Sequence, residues 1–257
     1  MFPTLPIIAG VTLAATGAGV VHHATYAVRS QWLGPTVWRG RTDTSSVALT
    51  FDDGPSEDTK RVLDVLDQYG LRAAFFMVGR EVERRPQTAR RVAAAGHDIG
   101  NHSYTHPIYL YRGPRATRRQ LERTQSAIAD VTGVRARFAR PPCGVRTPAY
   151  FRAARRLGLQ TVQWTLAGFD WKHRTPARIA HDVLRRAEAG AIILLHDGDS
   201  ENRDDRGATV AALPLIIEGL KERELRVVPL AQLIDANAFD ETRLMKDTTH
   251  VKEATHV

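Results

Sequence analysis

From Ser45 onward, short β-branched or apolar runs alternate with stretches whose apolar residues recur every three or four positions. Val47-Ala48-Leu49-Thr50-Phe51 is a run of the first kind and predicts a strand. Asp58 to Tyr69 is of the second kind. Its Val62, Leu63, Val65, Leu66 and Tyr69 fall at helical spacing, and Gly70 stops the helix. The alternation continues with a strand at Ala73–Val78, a helix at Glu81–Ala95 interrupted by Pro86, a strand opening at Asp98–Asn101 and a helix at Ala116–Val131. Then come a strand at Arg135–Ala139, a helix at Ala149–Leu157, a strand at Gln160–Leu166 and a helix at Pro176–Glu188 with proline near its first turn. A strand at Ala191–Leu195, a helix at Thr209–Arg223, a strand at Leu225–Val228 and a helical turn at Leu230–Ala236 complete the pattern, and the tail from Phe239 is polar and reads as frayed.

Seven strand-to-helix alternations without a GxGxxG or Walker loop imply a parallel sheet with helices outside, open or closed. Polar residues recur just after the strands: Asp52-Asp53, His102 and His106, Arg140, Asp170, and His196-Asp197. In a barrel, those C-terminal strand ends converge on one face, where active sites sit.

Composition sets the bounds. The chain has 257 residues, 43% of them hydrophobic, which suits one domain of barrel size with a large core and excludes disorder. One cysteine, Cys143, excludes an intrachain disulfide and a Cys-cluster zinc site. Lys+Arg number 36 against 28 Asp+Glu, a net charge of +8. Acidic residues are interspersed with arginine pairs such as Arg84-Arg85, Arg118-Arg119 and Arg155-Arg156. The charge therefore reads as a solvated surface with no specific nucleic-acid partner; attraction to an anionic polymer or a membrane surface is the second reading. Leu5 to Val21 is a 17-residue run without a charge, near the lower length for a membrane span. No basic segment precedes it, and His22-His23 and Arg29 follow. Residues 1–24 are read as a signal or signal-anchor, with a buried helix or a misassigned start codon as alternatives. Residues 25–44 are read as a connector whose Trp32 and Trp38 are apolar anchors on the domain, 45–236 as the main domain, and 237–257 as a polar tail. A monomer at the cell envelope or outside the cell is expected, membrane association would run through residues 5–21, and a cytoplasmic location stays open.

Three clusters carry chemistry. In Thr50-Phe51-Asp52-Asp53-Gly54-Pro55, a sharp turn aims two carboxylates differently, so one can hold a metal while the other takes a proton. In His102-Ser103-Tyr104-Thr105-His106, two imidazoles four apart can meet at one ion if the segment is helical or tightly turned; an Asp nearby makes a His2Asp facial set with open positions. The bland readings are an Asp-rich turn and ordinary core or surface histidines, and His97 is read as structural. In Leu194-Leu195-His196-Asp197, a histidine leaves an apolar strand, placed to donate a proton to a leaving group. Asp170 can orient and charge it. Arg140 can pair with Asp52, and the Pro141-Pro142-Cys143-Gly144 turn can aim a backbone N–H at an oxyanion. Cys143 as a nucleophile needs an activating neighbour that the histidines' better roles deny it, and a structural, semi-buried thiol is expected. The loops Tyr109–Pro114 and Asp199–Arg206 stand beside these clusters, and Tyr109 and Tyr111 could stack on a ring of a ligand.

With these residues the chain resembles the polysaccharide deacetylases, the NodB-homology family of carbohydrate esterases. Thr50–Pro55 is similar to the family's TFDDGP motif, His102–His106 to H(S/T)xxH, Arg140–Gly144 to its RxPYG-like motif, Phe169-Asp170-Trp171 to its DW motif, and Ile193–Gly198 to its final histidine motif. All five stand in order over roughly Ser45 to Ala236. The resemblance implies a distorted (β/α) barrel, α/β in class, with seven parallel strands. It implies that Asp53, His102 and His106 bind one divalent metal, zinc or else cobalt or another ion. It implies Asp52 as general base positioned by Arg140, His196 as general acid tuned by Asp170, the Cys143 N–H at the oxyanion, and Trp171, Leu194 and Pro142 around the acetyl group. The partner would be an acetylated glycan such as a chitin oligomer, peptidoglycan or exopolysaccharide. O-deacetylation of xylan or cleavage of a non-sugar amide are alternatives on the same site. Cys143 stands where the family usually has tyrosine, which leaves a main-chain donor but a differently lined groove.

Overall fold

The computed structural model describes residues 19–109, 112–199 and 205–234. Residues 1–18 and 235–257, with Leu110, Tyr111 and most of the loop after Asp199, lie outside the described residues, so the expectations for most of the apolar leader, the tail and Tyr111 fall there.

In chain order the elements are β1 (Ser46–Asp52), α1 (Glu57–Gln68), β2 (Ala74–Met77), α2 (Gly79–Arg84), α3 (Pro86–Ala94), β3 (Asp98–Asn101), α4 (Pro114–Thr132), β4 (Phe138–Ala139), α5 (Pro148–Arg156), β5 (Gln160–Thr161), β6 (Leu166–Ala167), α6 (Pro176–Leu184), β7 (Ile192–His196), α7 (Gly207–Glu222), β8 (Arg226–Val227) and α8 (Leu230–Ile234). Seven strands run in parallel in the order β5-β4-β3-β2-β1-β7-β6, a curled sheet open between β5 and β6 and wrapped by helices. This is a distorted (β/α) barrel. The two-residue β8 pairs the first residues of β1. The carbonyls of Ser45 and Val47 accept from the amides of Arg226 and of Val228 just after β8, whereas that of Ser46 accepts from Gly190 ahead of β7. Neighbouring peptides of a strand point opposite ways, so β8 lies on the edge of β1 that β2 takes further along.

Local chemistry explains the starts. Ser56 caps α1: its Oγ accepts from the amides of Asp58 and Thr59, and Thr59 Oγ1 accepts from the Ser56 amide in return. Prolines stand in the first turns of α3, α4, α5 and α6, where a missing N–H costs nothing. Pro86 splits the expected Glu81–Ala95 helix into α2 and α3.

The two-residue period of β1 divides the core. Val47, Leu49 and Phe51 pack outward under the helices. Ala48 faces inward with Ala74, Phe76, Phe138, Val162 and Ile192. Leu230 and Leu233 of α8 join that inner cluster and plug the barrel's floor. The inward positions that follow, Thr50 and Asp52 on β1 and Leu194 and His196 on β7, climb toward the opposite mouth.

One expected strand is corrected. Gln160–Leu166 is not a single strand; it crosses the seam and contributes β5 to one edge of the sheet and β6 to the other. The connector fills that seam. The Val37 amide donates to Thr161 O and its carbonyl accepts from Gln163 N, Thr165 Oγ1 donates to Trp38 O, and Gly40 N donates to Gly190 O. Composition cannot reveal such a seam, because a pairing partner more than a hundred residues away decides it. Trp38 is half-buried under the Arg29 guanidinium, whereas Trp32 is 63% exposed against His23 and does not anchor on the domain. Among the described residues, no helix is long and apolar enough to cross a membrane.

Candidate active site

The mouth of the barrel is built from the strand ends. β1 ends in Asp52, and Asp53 follows with φ at 75°, so the two carboxylates leave the strand in different directions. Asp197 holds this turn from across the sheet: its Oδ1 accepts from Gly54 N at 3.2 Å and its Oδ2 from Thr59 Oγ1 at 2.5 Å. A Cβ on Gly54 would lie 2.2 Å from Asp197 Oδ2, so no other residue fits this closely. Burial lifts the Asp197 pKa to about 7, against the lowering effect of Thr59.

After β3 the chain makes a tight non-helical turn, with positive φ at Ser103 and His106. Asn101 pins it: Oδ1 accepts from Ser103 N at 3.0 Å and Nδ2 donates to Leu121 O of α4. Ser103 Oγ accepts from His106 N at 3.0 Å, and Gln120 Oε1 accepts from the amides of Tyr104 and Thr105. The turn brings the imidazoles to 5.0 Å between ring centres. His102 Nε2 lies 3.5 Å and His106 Nε2 3.2 Å from Asp53 Oδ1.

Ligand-type atoms of Asp53, His102 and His106 lie within 4.8 Å of one another. Asp53 Oδ1 is buried and accepts no hydrogen bond. Such an orphaned oxygen costs free energy unless a cation satisfies it. His102 Nδ1 lies 2.7 Å from Arg140 O, which can only accept. One proton is therefore on Nδ1; burial lowers the His102 pKa, but the Asp52 and Asp53 carboxylates outweigh it and raise it, so Nε2 is the nitrogen that exchanges its proton for a metal. Burial holds His106 below the ordinary imidazole range, a neutral ring that can also offer a lone pair. Burial pushes the Asp53 carboxyl up, but the neighbouring His102, His106 and His196 outweigh it and hold it well below the usual carboxylate range. Two imidazole nitrogens and one carboxylate oxygen gathered at one point are a donor set that fits a divalent metal.

Arg140, fully buried, follows β4. Its Nη1 donates to Asp52 Oδ1 at 2.7 Å and to Thr50 Oγ1 at 2.9 Å, Nε and Nη2 donate to Val162 O and Gln163 O, and the guanidinium stacks 4.0 Å above Phe76. Asp52 is thereby held with its second oxygen 3.7 Å from His102 Nε2.

Facing this group, His196 ends β7. Asp170 Oδ1 lies 2.9 Å from His196 Nδ1, and its Oδ2 accepts from His196 N at 2.7 Å and from Thr209 Oγ1 at 2.9 Å. Burial lowers the His196 pKa, but the Asp170 charge and hydrogen bond overcome it and raise it to about 9. A group acting as an acid works while protonated, so its activity is lost as pH rises through about 9. Removing the Asp170 charge leaves burial opposed only by the smaller effects of Asp53 and Asp52. Asp170→Asn is expected to move the alkaline limb of kcat to lower pH and to lower kcat by about ten- to a hundredfold; an unmoved limb in a pH–rate profile excludes this pairing from the chemistry.

Trp171 stands edge-on to His196 at 5.2 Å and is 37% exposed, whereas Leu194 and Pro142 are buried. Cys143, in a left-handed conformation with φ at 54°, is exposed, which corrects the semi-buried expectation: the positive φ turns it out of the Pro142–Gly144 turn. Partial desolvation of its thiol and the charges of Asp53 and Asp52 push its pKa up, which opposes a nucleophilic role. Tyr109 is also corrected. It is fully buried against Tyr150 in the outer core and offers no face to a sugar. His97 is structural: its Nδ1 accepts from Ala73 N at 3.1 Å, and burial lowers its pKa to about 4. Five non-glycine residues at this mouth, Asp53, Ser103, His106, Cys143 and Phe169, have positive φ, a concentration of backbone strain typical of functional sites. Asn101, Thr59, Gln120 and Thr209 carry no motif; only their tertiary bonds reveal them. Asp197 was visible beside His196 but had no partner in sequence.

A family model for polysaccharide deacetylases matches residues 39–162. A peptidoglycan-N-acetylglucosamine deacetylase of Bacillus cereus is 36% identical over 210 residues, spanning 78% of this chain and 93% of that protein. The chain belongs to the polysaccharide deacetylase family. A chitooligosaccharide deacetylase of Bradyrhizobium is 36% identical over 202 residues, spanning 74% of this chain and 91% of that one. A solved peptidoglycan N-acetylglucosamine deacetylase, in complex with a naphthalenyl N-oxidanyl-benzamide, superposes with a TM-score of 0.73 at 32% identity, covering 78% of this chain and 92% of its own. Within this polysaccharide deacetylase barrel, the Asp52–Asp53 turn, the two-histidine turn, Arg140 and the Asp170–His196 pair share one mouth.

Proposed function

We propose that the protein is a metal-dependent hydrolase that removes N-acetyl groups from N-acetylglucosamine units of a glycan at the cell envelope and releases acetate. The observation that carries this reading is the buried, unbonded Asp53 Oδ1 beside two imidazole nitrogens, flanked by an arginine-held carboxylate and faced by a carboxylate-charged histidine. The names of the relatives support the substrate class.

Asp53, His102 and His106 would hold the divalent ion, zinc or cobalt, which when bound would supply Lewis-acid polarisation of the amide carbonyl and a more acidic water. Asp52 takes a proton from the water as its oxygen bonds to the carbonyl carbon. Arg140 keeps that carboxylate aimed through its 2.7 Å hydrogen bond. The Cys143 N–H donates to the oxygen that gains charge. His196 gives its proton to the sugar nitrogen as the carbon–nitrogen bond breaks, and Asp170 stabilises the imidazolium until then. Trp171, Leu194 and Pro142 enclose the methyl group. No covalent intermediate is required.

The test is acetate release by metal-reconstituted protein across N-acetylated chitooligosaccharide, peptidoglycan glycan strands and acetylated xylan. Release from the N-acetylated glycans, lost on chelation and restored by zinc or cobalt, is expected. Activity that survives complete chelation, or that appears only on xylan, overturns the reading.

A further inference from the structure

Helix α4 begins at Pro114, eight residues after His106, and α5 at Pro148, five after Cys143. Between them lies a groove of about 140 Å³. Its walls are Arg115 and Arg118 from α4 and Arg152 and Arg156 from α5, with Pro114 and Ala153 among the lining and no carboxylate. All four arginines are exposed. Arg118 has Glu122 at 3.4 Å; Arg115, Arg152 and Arg156 have no ion pair among the described residues.

Two other arginine groups are arranged differently. Arg84 and Arg85 converge on buried Glu81, and Arg174, Arg178 and Arg185 on buried Asp182. In the groove the positive charges face one another with a single acid at the edge. That arrangement is repulsive by itself and favourable around an anion. Guanidinium forks match the paired oxygens of carboxylates and phosphates. The groove runs from the first turns of α4 along α5 to its last residue. It suits a few charged substituents on a strand better than the continuous phosphates of duplex DNA.

We propose that this groove binds carboxylate or phosphate groups of an anionic glycan strand whose acetylated sugar occupies the mouth of the barrel. The proposal rests on the deacetylase reading and narrows its substrate to charged glycans over neutral ones. Arg115, Arg118, Arg152 and Arg156 act on binding, not on the chemical step.

The experiment compares the full chain with R115Q/R152Q/R156Q, at matched metal content and melting temperature. The probes are glycan strands carrying free carboxylates, a neutral chitooligosaccharide of equal length, inorganic polyphosphate and duplex DNA. The triple variant is expected to bind the carboxylated strands about tenfold more weakly, the combined effect of three exposed ion pairs. Its KM on them rises with kcat unchanged, and its behaviour on the neutral oligomer stays that of the parent. Added salt weakens binding of the charged strands to the parent far more than to the variant. Weaker binding of polyphosphate by the variant also supports the groove, and the anion that the parent holds more tightly identifies the source. Parental affinity of the variant for every anion, equal losses on the neutral oligomer, or preference for duplex DNA over charged strands overturns the proposal. Absence of acetate release from all glycans defeats the deacetylase reading instead, and the binding comparison then still decides the groove.

Discussion

Asp52→Asn is expected to lower kcat by about a thousandfold or more while the protein still takes up its divalent ion. The argument is geometric. Asp52 and Asp53 are adjacent, but the positive φ of Asp53 gives them separate surroundings. Asp53 Oδ1 meets the two imidazoles, whereas Asp52 Oδ1 is taken by Arg140 at 2.7 Å and its other oxygen stays near the site. Asparagine keeps an oxygen for the guanidinium and the shape of the turn. It loses the ability to accept a proton from water, a contribution typically worth two to four orders of magnitude. Asp53→Ala, by contrast, is expected to lose the metal itself. Metal content and steady-state acetate release on both variants decide the matter: parental turnover in D52N removes the base assignment, and metal loss in D52N with retention in D53A reverses the two roles.

Arg140→Leu is expected to have the largest effect on stability. Arg140 is fully buried, and Asp52 beside it is nearly so. Removing one partner leaves a buried carboxylate uncompensated, at a cost of about 3–5 kcal/mol. Thr50 Oγ1, Val162 O and Gln163 O lose a donor as well. For a domain of this size the melting temperature should fall by roughly 6–20 °C. The carbonyl of residue 140 still accepts from His102 Nδ1, because a main-chain atom survives the substitution. Metal uptake should therefore persist below the melting transition while kcat drops by about a hundredfold, since Asp52 is no longer held in position. A melting temperature within 2 °C of the parent would show that the pair contributes little to the fold.

The alternation of apolar runs and helical periods was enough to read a parallel, helix-wrapped sheet. The period of two along β1 also marks which residues meet the helices. The residue types at the strand ends were equally legible: paired carboxylates, paired imidazoles, an arginine and a histidine each follow an apolar run. Local order could not reveal where one apparent strand divides. Gln160–Leu166 has continuous strand character, yet Val37 pairs beside β5 and Thr165 reaches Trp38, so the segment spans an open seam. Tyr109 looked like a surface aromatic because it follows a polar histidine turn. It is buried because Tyr150, on another helix, packs against it.

What the sequence by itself determined was the inventory and its order: which side chains can bind a metal, move a proton or carry charge, and that each stands at the end of a strand. The tertiary structure decided their pairing. Arg140 lies 88 positions from Asp52, Asp170 26 from His196, and Asp197 138 from Thr59. It also decided that Asp53 Oδ1 is left without a hydrogen bond and that four arginines of α4 and α5 face one groove. The physical reason is that local propensity acts through neighbouring dihedral angles and a periodicity of two or 3.6 residues. Desolvation, ion pairing and ligand geometry act through space, and become defined only once the sheet has curled and brought its strand ends together.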